Sequence, residues 1–81
     1  MRALFVGRFQ PFHLGHLEVL LRIVKEHEPL IVIGSAEISH TLRDPFTAGE
    51  RFMMIEAAMR EADIEKYTII PVINVNRYGI W

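Results

Sequence analysis

The sequence lacks cysteine, has no long apolar run, and carries almost no net charge. Without cysteine, its 81 residues can form neither a disulfide framework nor a thiolate nucleophile. A transmembrane helix needs about 20 consecutive apolar residues, and no run approaches that length. No charged-then-apolar leader follows Met1. We therefore expect a cytoplasmic protein without a membrane partner.

The charge balance and the hydrophobic content restrict the possible partners. Nine basic residues face ten acidic ones, so the formal net charge of −1 offers no basic field for nucleic acid, and no nucleic-acid partner is expected. The length allows one small domain. Yet 51% of the residues are hydrophobic, which is rich for a small monomer. We expect part of the apolar surface to contact a second copy in a homo-oligomer, or a missing half of the fold.

Strand-like and helix-like spacing alternate along the chain. Short apolar runs bounded by turn residues predict buried parallel strands at residues 3–6, 30–33 and 67–72. Helical periodicity predicts amphipathic helices over about residues 15–27 and 48–62. The order β-α-β-α-β predicts an α/β fold, a parallel sheet with right-handed crossovers. This is a Rossmann-like mononucleotide-binding unit, in which ligands bind at the carboxyl ends of the strands.

The second predicted helix carries clear local signals. Thr47 and Glu50 fit a capping box, with Thr47 as the N-cap. Arg51 is expected to pair with Glu50 or with a neighbouring element, without a catalytic role. Apolar residues of this segment are assigned to the core, namely Phe52, Ile55, Met59 and the Met53–Met54 pair.

The run GRFQPFHLGH, residues 7–16, joins the first strand to the first helix. A helix N-terminus has unpaired N–H groups and a partial positive charge that attract anions. Gly15 has no side chain to keep a phosphate away from the backbone. His13 and His16, at i and i+3, project from one face of the first turn, and Arg8 adds a permanent cation. Together these features predict a polyphosphate site.

A second polar segment follows the second predicted strand. Residues 34–46 lack any period and include Ser39 and Arg43, so they are predicted to form a loop. Because the loop leaves the carboxyl end of a strand, we expect its polar residues, Arg43 above all, to contact phosphate.

The histidine pair has two other interpretations. It could be a surface pair without a ligand, or it could ligate a metal ion. A helical zinc pair prefers i, i+4 spacing and needs a third ligand. No metal ion bound by protein side chains is therefore predicted.

The run GRFQPFHLGH resembles the HxGH signature of the nucleotidyltransferase superfamily. Together with GSAEISHTLRDPFTAGER, residues 34–51, it resembles the archaeal type of nicotinamide-mononucleotide (NMN) adenylyltransferase. The resemblance implies that ATP and NMN are the substrates and NAD and pyrophosphate the products, with Mg²⁺ bound through ATP phosphates and water. Catalysis is assigned to His13, His16 and Arg43, and substrate binding to Gly7, Arg8, Phe9, Gly15, Ser39 and Trp81.

Enzymes of this type carry a further Ser/Thr-rich, Arg-containing motif in their C-terminal half, which this chain lacks. We therefore expect residues 1–81 to form a nucleotidyltransferase domain that is incomplete at its C-terminus, the N-terminal half of a larger doubly wound domain. Two alternatives stay open. One is another HxGH nucleotidyltransferase, such as a pantetheine-phosphate adenylyltransferase. The other is an inactive nucleotide-binding half-domain.

Overall fold

A computed structural model describes residues 1–73 and contains three strands that alternate with two helices. The elements are β1 (Arg2–Gly7), α1 (Leu14–Ile23), β2 (Glu28–Ile33), α2 (Ala48–Glu61) and β3 (Thr68–Pro71). The predicted order of elements is confirmed. Trp81 lies outside the described residues, so its role in substrate binding stays a prediction.

The three strands form one parallel sheet in the order β1-β2-β3. The register aligns their last residues, since Gly7 pairs with Ile33 and Ile33 pairs with Pro71. The loops that follow β1 and β2, residues 8–13 and 34–47, therefore leave from the same edge of the sheet. This is the edge at which ligands bind in open parallel sheets.

Both helices pack on one face of the sheet. Ile31 and Ile33 of β2 are fully buried, together with Leu20 of α1 and Ile55 and Met59 of α2. Side chains alternate between the two faces of a strand, so the buried residues of β2 share one face. The strand order runs in one direction across the sheet, and β-α-β crossovers are right-handed. Both crossover helices therefore lie on the same side of the sheet.

The opposite face of the sheet is apolar and open. Leu4 and Val6 of β1 are 63% and 43% exposed, and Ile70 of β3 is 42% exposed. The register places these residues beside Leu30 and Val32 of β2, which are only partly buried. The apolar surface expected from the composition is therefore a sheet face, and parallel sheets are normally covered on both faces.

We expect the isolated 81-residue chain to bind an apolar dye and to self-associate, because this face is uncovered. Leu4→Lys should reduce dye binding and shift the chain toward a monomer, as measured by dye fluorescence and light scattering. Leu42→Lys is the matched control, since Leu42 is fully exposed in a loop away from the sheet. A reversible, sharply cooperative melt of a monomer that binds no dye would contradict this expectation.

The first helix is shorter than predicted. It ends at Ile23, and the following turn is closed by a hydrogen bond from the His27 N–H to the Ile23 carbonyl (2.8 Å). Proline disfavours helical backbone at the residue before it, so Pro29 requires an extended Glu28. The Glu28 N–H accordingly donates to the Met1 carbonyl (2.8 Å) and begins β2.

The capping box of α2 is confirmed, but one core assignment is wrong. The Thr47 N–H donates to Glu50 Oε1 (2.8 Å), and the Glu50 N–H donates to Thr47 Oγ1 (3.0 Å). The bonds from the Thr47 backbone and side chain lower the pKa of the Glu50 carboxyl. Met53 is 68% exposed, because the buried positions of α2 recur every four residues from Arg51. Within residues 1–73, neither helix has the length and apolar character of a membrane span.

Candidate functional site

The first turn of α1 is capped by its two histidines. His13 is the N-cap residue, with an extended backbone, and its Nδ1 accepts the Gly15 N–H (3.1 Å). Three residues later, His16 Nδ1 accepts the His13 N–H (3.1 Å). This reciprocal arrangement is a capping box in which histidines replace the usual Ser/Thr and Glu/Gln. This cap was not predicted from the sequence, although the spacing of His13 and His16 matches the N-cap and N3 positions.

The cap fixes the tautomer of both rings. An Nδ1 atom that accepts a backbone N–H carries no proton, so the single proton of each neutral imidazole lies on Nε2. The rings of His13 and His16 stack with their centroids 3.7 Å apart and their planes inclined by 25°. The helix start therefore presents two Nε2–H donors, one from each ring.

His16 lies against an aromatic cluster. Its ring centroid is 4.8 Å from that of Phe9, 5.3 Å from that of Phe12 and 6.2 Å from that of Phe5. Burial lowers the pKa of His16, and the neighbouring His13 lowers it further. The packing and the cap thus favour the same neutral state of this imidazole.

This lowered pKa predicts a pH dependence of stability. A histidine with a depressed pKa in the folded state binds fewer protons there than in the unfolded chain, so its contribution is complete above the ordinary value of 6.5. We expect the free energy of unfolding to fall as the pH drops below that value toward the pKa of the folded state. Denaturant melts of the native protein across this range measure it. His16→Gln should flatten the slope, and an unchanged slope would contradict the assignment.

Two glycines allow this cluster to close. A Cβ atom on Gly15 would lie 3.0 Å from His13 Cε1, so the glycine makes room for the capping ring. A Cβ atom on Gly7 would lie 2.8 Å from Phe9 Cε1, a distance that real Cβ atoms do not adopt. Phe9 is only 2% exposed, and its predicted substrate contact stays a prediction.

The two loops at this edge of the sheet are joined to each other. Gln10 Nε2 donates to the Phe46 carbonyl (2.9 Å), and the Phe46 N–H donates to Gln10 Oε1 (2.8 Å). Arg8 Nη1 lies 3.5 Å from Asp44 Oδ1, and the Asp44 residue is only 8% exposed. These contacts tie the loop after β1 to the loop after β2. The role of Gln10 was likewise not predicted from the sequence.

The structure brings only part of the predicted site into one cluster. Its tightly packed part is formed by Gly7, Phe9, His13, Gly15 and His16. Arg43 is exposed on the second loop, next to the Asp44 that pairs with Arg8. Ser39, also on that loop, has its Oγ 2.7 Å from His40 Nδ1. Substrate contacts of Ser39 and Arg43 stay predictions.

Arg51 does not use Glu50 as its partner. The Glu50 carboxylate accepts the Thr47 N–H, whereas Arg51 is fully buried and donates to backbone carbonyls of both loops. One sequence signal could have located it. Arg51 precedes Ile55 and Met59 at intervals of four residues, so it occupies the buried face of α2.

No metal cage is visible in the part of the chain that the structure describes. Residues 1–73 contain no group of three or more His, Asp or Glu side chains arranged to hold a metal ion. The Nδ1 atoms of His13 and His16 already accept backbone N–H groups, and Asp44 pairs with Arg8. A Mg²⁺ ion carried by the substrate phosphates stays a prediction.

Comparison with known proteins agrees with the fold. Residues 4–76 match the Cytidylyltransferase-like family. Curated proteins named nicotinamide-nucleotide adenylyltransferase are similar to this chain. One from Picrophilus torridus is 54% identical over 82 residues, covering 100% of this chain and 48% of the relative. Relatives from Thermoplasma volcanium and Methanococcus maripaludis are 48% and 51% identical, covering 99% and 100% of this chain and 46% and 47% of their own lengths.

The chain thus spans about half the length of the curated relatives it matches. The match begins within β1 and covers β2, β3 and both helices, so it includes the start of α1. A three-stranded parallel sheet with two helices is consistent with half of a Rossmann-like domain. On this sequence match, the chain belongs to the cytidylyltransferase-like family.

Proposed function

We propose that the native protein containing these residues transfers AMP from ATP to NMN and forms NAD and pyrophosphate. One observation carries the proposal. The reciprocal histidine cap presents two Nε2–H donors at the carboxyl edge of a parallel sheet. Support comes from the relatives named nicotinamide-nucleotide adenylyltransferase, which are about 50% identical to this chain.

The reaction needs no covalent enzyme intermediate. A phosphate oxygen of NMN attacks the α-phosphorus of ATP, a new P–O bond forms, and the bond to the β-phosphate bridge breaks with release of pyrophosphate. The NMN phosphate is already ionised, so no strong base is required. Catalysis then depends on alignment of the two phosphates and on stabilisation of the negative charge that spreads over the reacting group.

Each cationic or donor group has a defined part in this proposal. His13 and His16 donate Nε2–H bonds to phosphate oxygens, and their Nδ1 atoms stay bound to the helix start. Arg8, oriented by Asp44, and Arg43, exposed on the second loop, hold phosphates through charge-assisted hydrogen bonds. ATP enters as its Mg²⁺ complex, and the ion neutralises phosphate charge when bound.

A substrate panel tests the proposal. The native protein is incubated with ATP and Mg²⁺ and, separately, with NMN, nicotinate mononucleotide or phosphopantetheine, and pyrophosphate release is measured. Turnover with NMN supports the proposal. Preference for phosphopantetheine would assign the protein to pantetheine-phosphate adenylyltransferases. Nucleotide binding without turnover would favour an inactive binding module.

A cytoplasmic location and homo-oligomeric assembly complete the proposal. The open sheet face offers an apolar surface for contact between copies. Cell fractionation tests the location, and light scattering of the native protein tests the assembly.

A further inference from the structure

The Arg51 guanidinium donates hydrogen bonds to backbone carbonyls in both loops of the site. Its residue is fully buried in the core beneath them. Nη1 donates to two carbonyls at 3.0 Å each, and Nη2 donates to three at 3.2, 3.4 and 3.2 Å. Nε donates to the carbonyl of the α2 N-cap residue (3.1 Å). In order, the acceptors belong to Arg8, Gly34, Ser35, Ala36, Ile38 and Thr47.

Burying a guanidinium with these bonds contributes little net stability to a fold. Burial of a charged group costs free energy that its hydrogen bonds only partly return, and a well-packed apolar side chain is often as stabilising. Burial lowers the pKa of Arg51, and the negative charges of Asp44 and Glu37 offset only part of this change. The two carboxylates therefore help to keep Arg51 charged, although its neighbours on the buried face of α2 are apolar. The geometry of the loops explains why a charged donor lies at this position.

The carbonyls bound by Arg51 surround backbone in unusual conformations. Phe9 and Ser35 have φ values of 55° and 51°, which few residues other than glycine adopt. Arg51 binds the carbonyl of Arg8, which forms the peptide bond to Phe9. It also binds the carbonyls of Gly34 and Ser35, which belong to the peptide groups before and after the Ser35 Cα. Such backbone persists only when its surroundings hold it in place.

The same bonds decide where the amide groups point. In a trans peptide the C=O and the following N–H point in opposite directions. Because the carbonyls of Arg8, Gly34 and Ile38 point to Arg51, the N–H groups of Phe9, Ser35 and Ser39 point away from it. One guanidinium on α2 thus sets the amide directions in both loops at the carboxyl edge of the sheet.

We propose that Arg51 is a positioning residue of the nucleotide site, which fixes the backbone of the loops at residues 8–9 and 34–38 so that they receive the phosphates. The inference rests on the proposed function. Arg51 itself has no contact with substrate, because its donors are used by the protein backbone. It acts through the loops that carry Arg8 and Ser39.

The experiment compares three variants of the native protein at a temperature where circular dichroism shows each of them folded. Arg51→Met keeps most of the volume but has no donor, and Arg51→Lys keeps the charge without the planar fork. Met59→Ala is the matched control, a buried change on the same face of α2 that removes packing only. Misplacement of reacting groups by about 1 Å costs roughly 10²-fold in rate.

We expect kcat to fall roughly 10²-fold in Arg51→Met and less in Arg51→Lys. Met59→Ala should keep its kcat within about twofold of the unaltered protein despite a lower melting temperature. If Arg51→Met keeps its kcat while folded, or if Met59→Ala loses as much, Arg51 is a packing residue and the inference is wrong. If Arg51→Met fails to fold, the comparison of kcat between Arg51→Lys and Met59→Ala decides whether Arg51 is a positioning residue.

A second readout separates this inference from the proposed function. Amide NMR spectra of the native protein should show shifted Phe9, Ser35 and Ser39 resonances in Arg51→Lys, together with weaker binding of ATP. Met59→Ala should leave those resonances and the ATP affinity unchanged. If the unaltered protein binds ATP but has no turnover, the proposed function fails and these spectra still decide the role of Arg51. Unchanged loop resonances in Arg51→Lys would overturn it.

Discussion

Replacement of His16 by alanine is expected to lower kcat of the native protein by about 10²–10³, or ~2.7–4 kcal/mol, with little change in KM for ATP. The His16 Nδ1 is occupied by the His13 N–H, so its Nε2–H is the donor left for the reacting phosphate. A donor fixed in advance contributes most where charge changes during the reaction. Steady-state kinetics with varied ATP measure the effect.

A glutamine at position 16 is the control that separates chemistry from helix capping. His16 occupies the N3 position of the capping box, where glutamine is a preferred residue, so the Gln amide oxygen can accept the His13 N–H. We expect His16→Gln to regain the stability lost in His16→Ala while kcat stays low. If His16→Ala kept kcat within about twofold and only lowered the melting temperature, His16 would be a structural cap.

Replacement of Arg43 by alanine is expected to raise the substrate KM by about 10–100-fold, with a smaller effect on kcat. Hydrogen bonds to a charged group contribute about 1.5–3 kcal/mol, which corresponds to that range. Arg43 is exposed on the loop that Gln10 and Asp44 tie to the first loop. It is therefore free to bind phosphate in the ground state as well as in the transition state.

Leu42→Ala provides a matched control for the arginine. Leu42 is adjacent to Arg43 and fully exposed, so its truncation changes the same loop without removing a donor. Its KM should equal that of the unaltered protein, and Arg43→Lys should lie between the two because lysine keeps the charge but loses the bidentate geometry. Equal KM values for Arg43→Ala and Leu42→Ala would exclude Arg43 from substrate binding.

Local patterns were sufficient to predict the architecture. The strand and helix order, the loop over residues 34–46 and the Thr47–Glu50 capping box all follow from spacing within a few residues. The clustering of His13 and His16 on the first turn of α1 follows from the same short-range geometry. These features were accessible because each depends on neighbours in the chain.

The remaining parts of the site depend on contacts between distant segments. Gln10 bonds to backbone 28 and 36 residues away, and Arg51 bonds to the Arg8 carbonyl 43 residues away. Spacing along the chain contains no signal for such bonds. Spacing does place Arg51 on the buried face of α2 with Ile55 and Met59, but its charge predicts a solvated side chain. The histidine cap was missed for a different reason, since histidine is not among the usual N-cap residues.

The hydrogen bond from the Gly34 N–H to the Gly7 carbonyl (2.8 Å) joins two strands at the level where both loops begin. One residue inserted in the middle of β1 would move the following loop by about 3.3 Å and would exchange the two faces of that strand. The turns at residues 24–27 and 62–67 lie at the opposite edge of the sheet. Insertions there would neither move the loop after β1 nor exchange the faces of that strand. Length differences among active homologues are therefore expected at that remote edge, where the chain can grow or shrink without displacing the histidines.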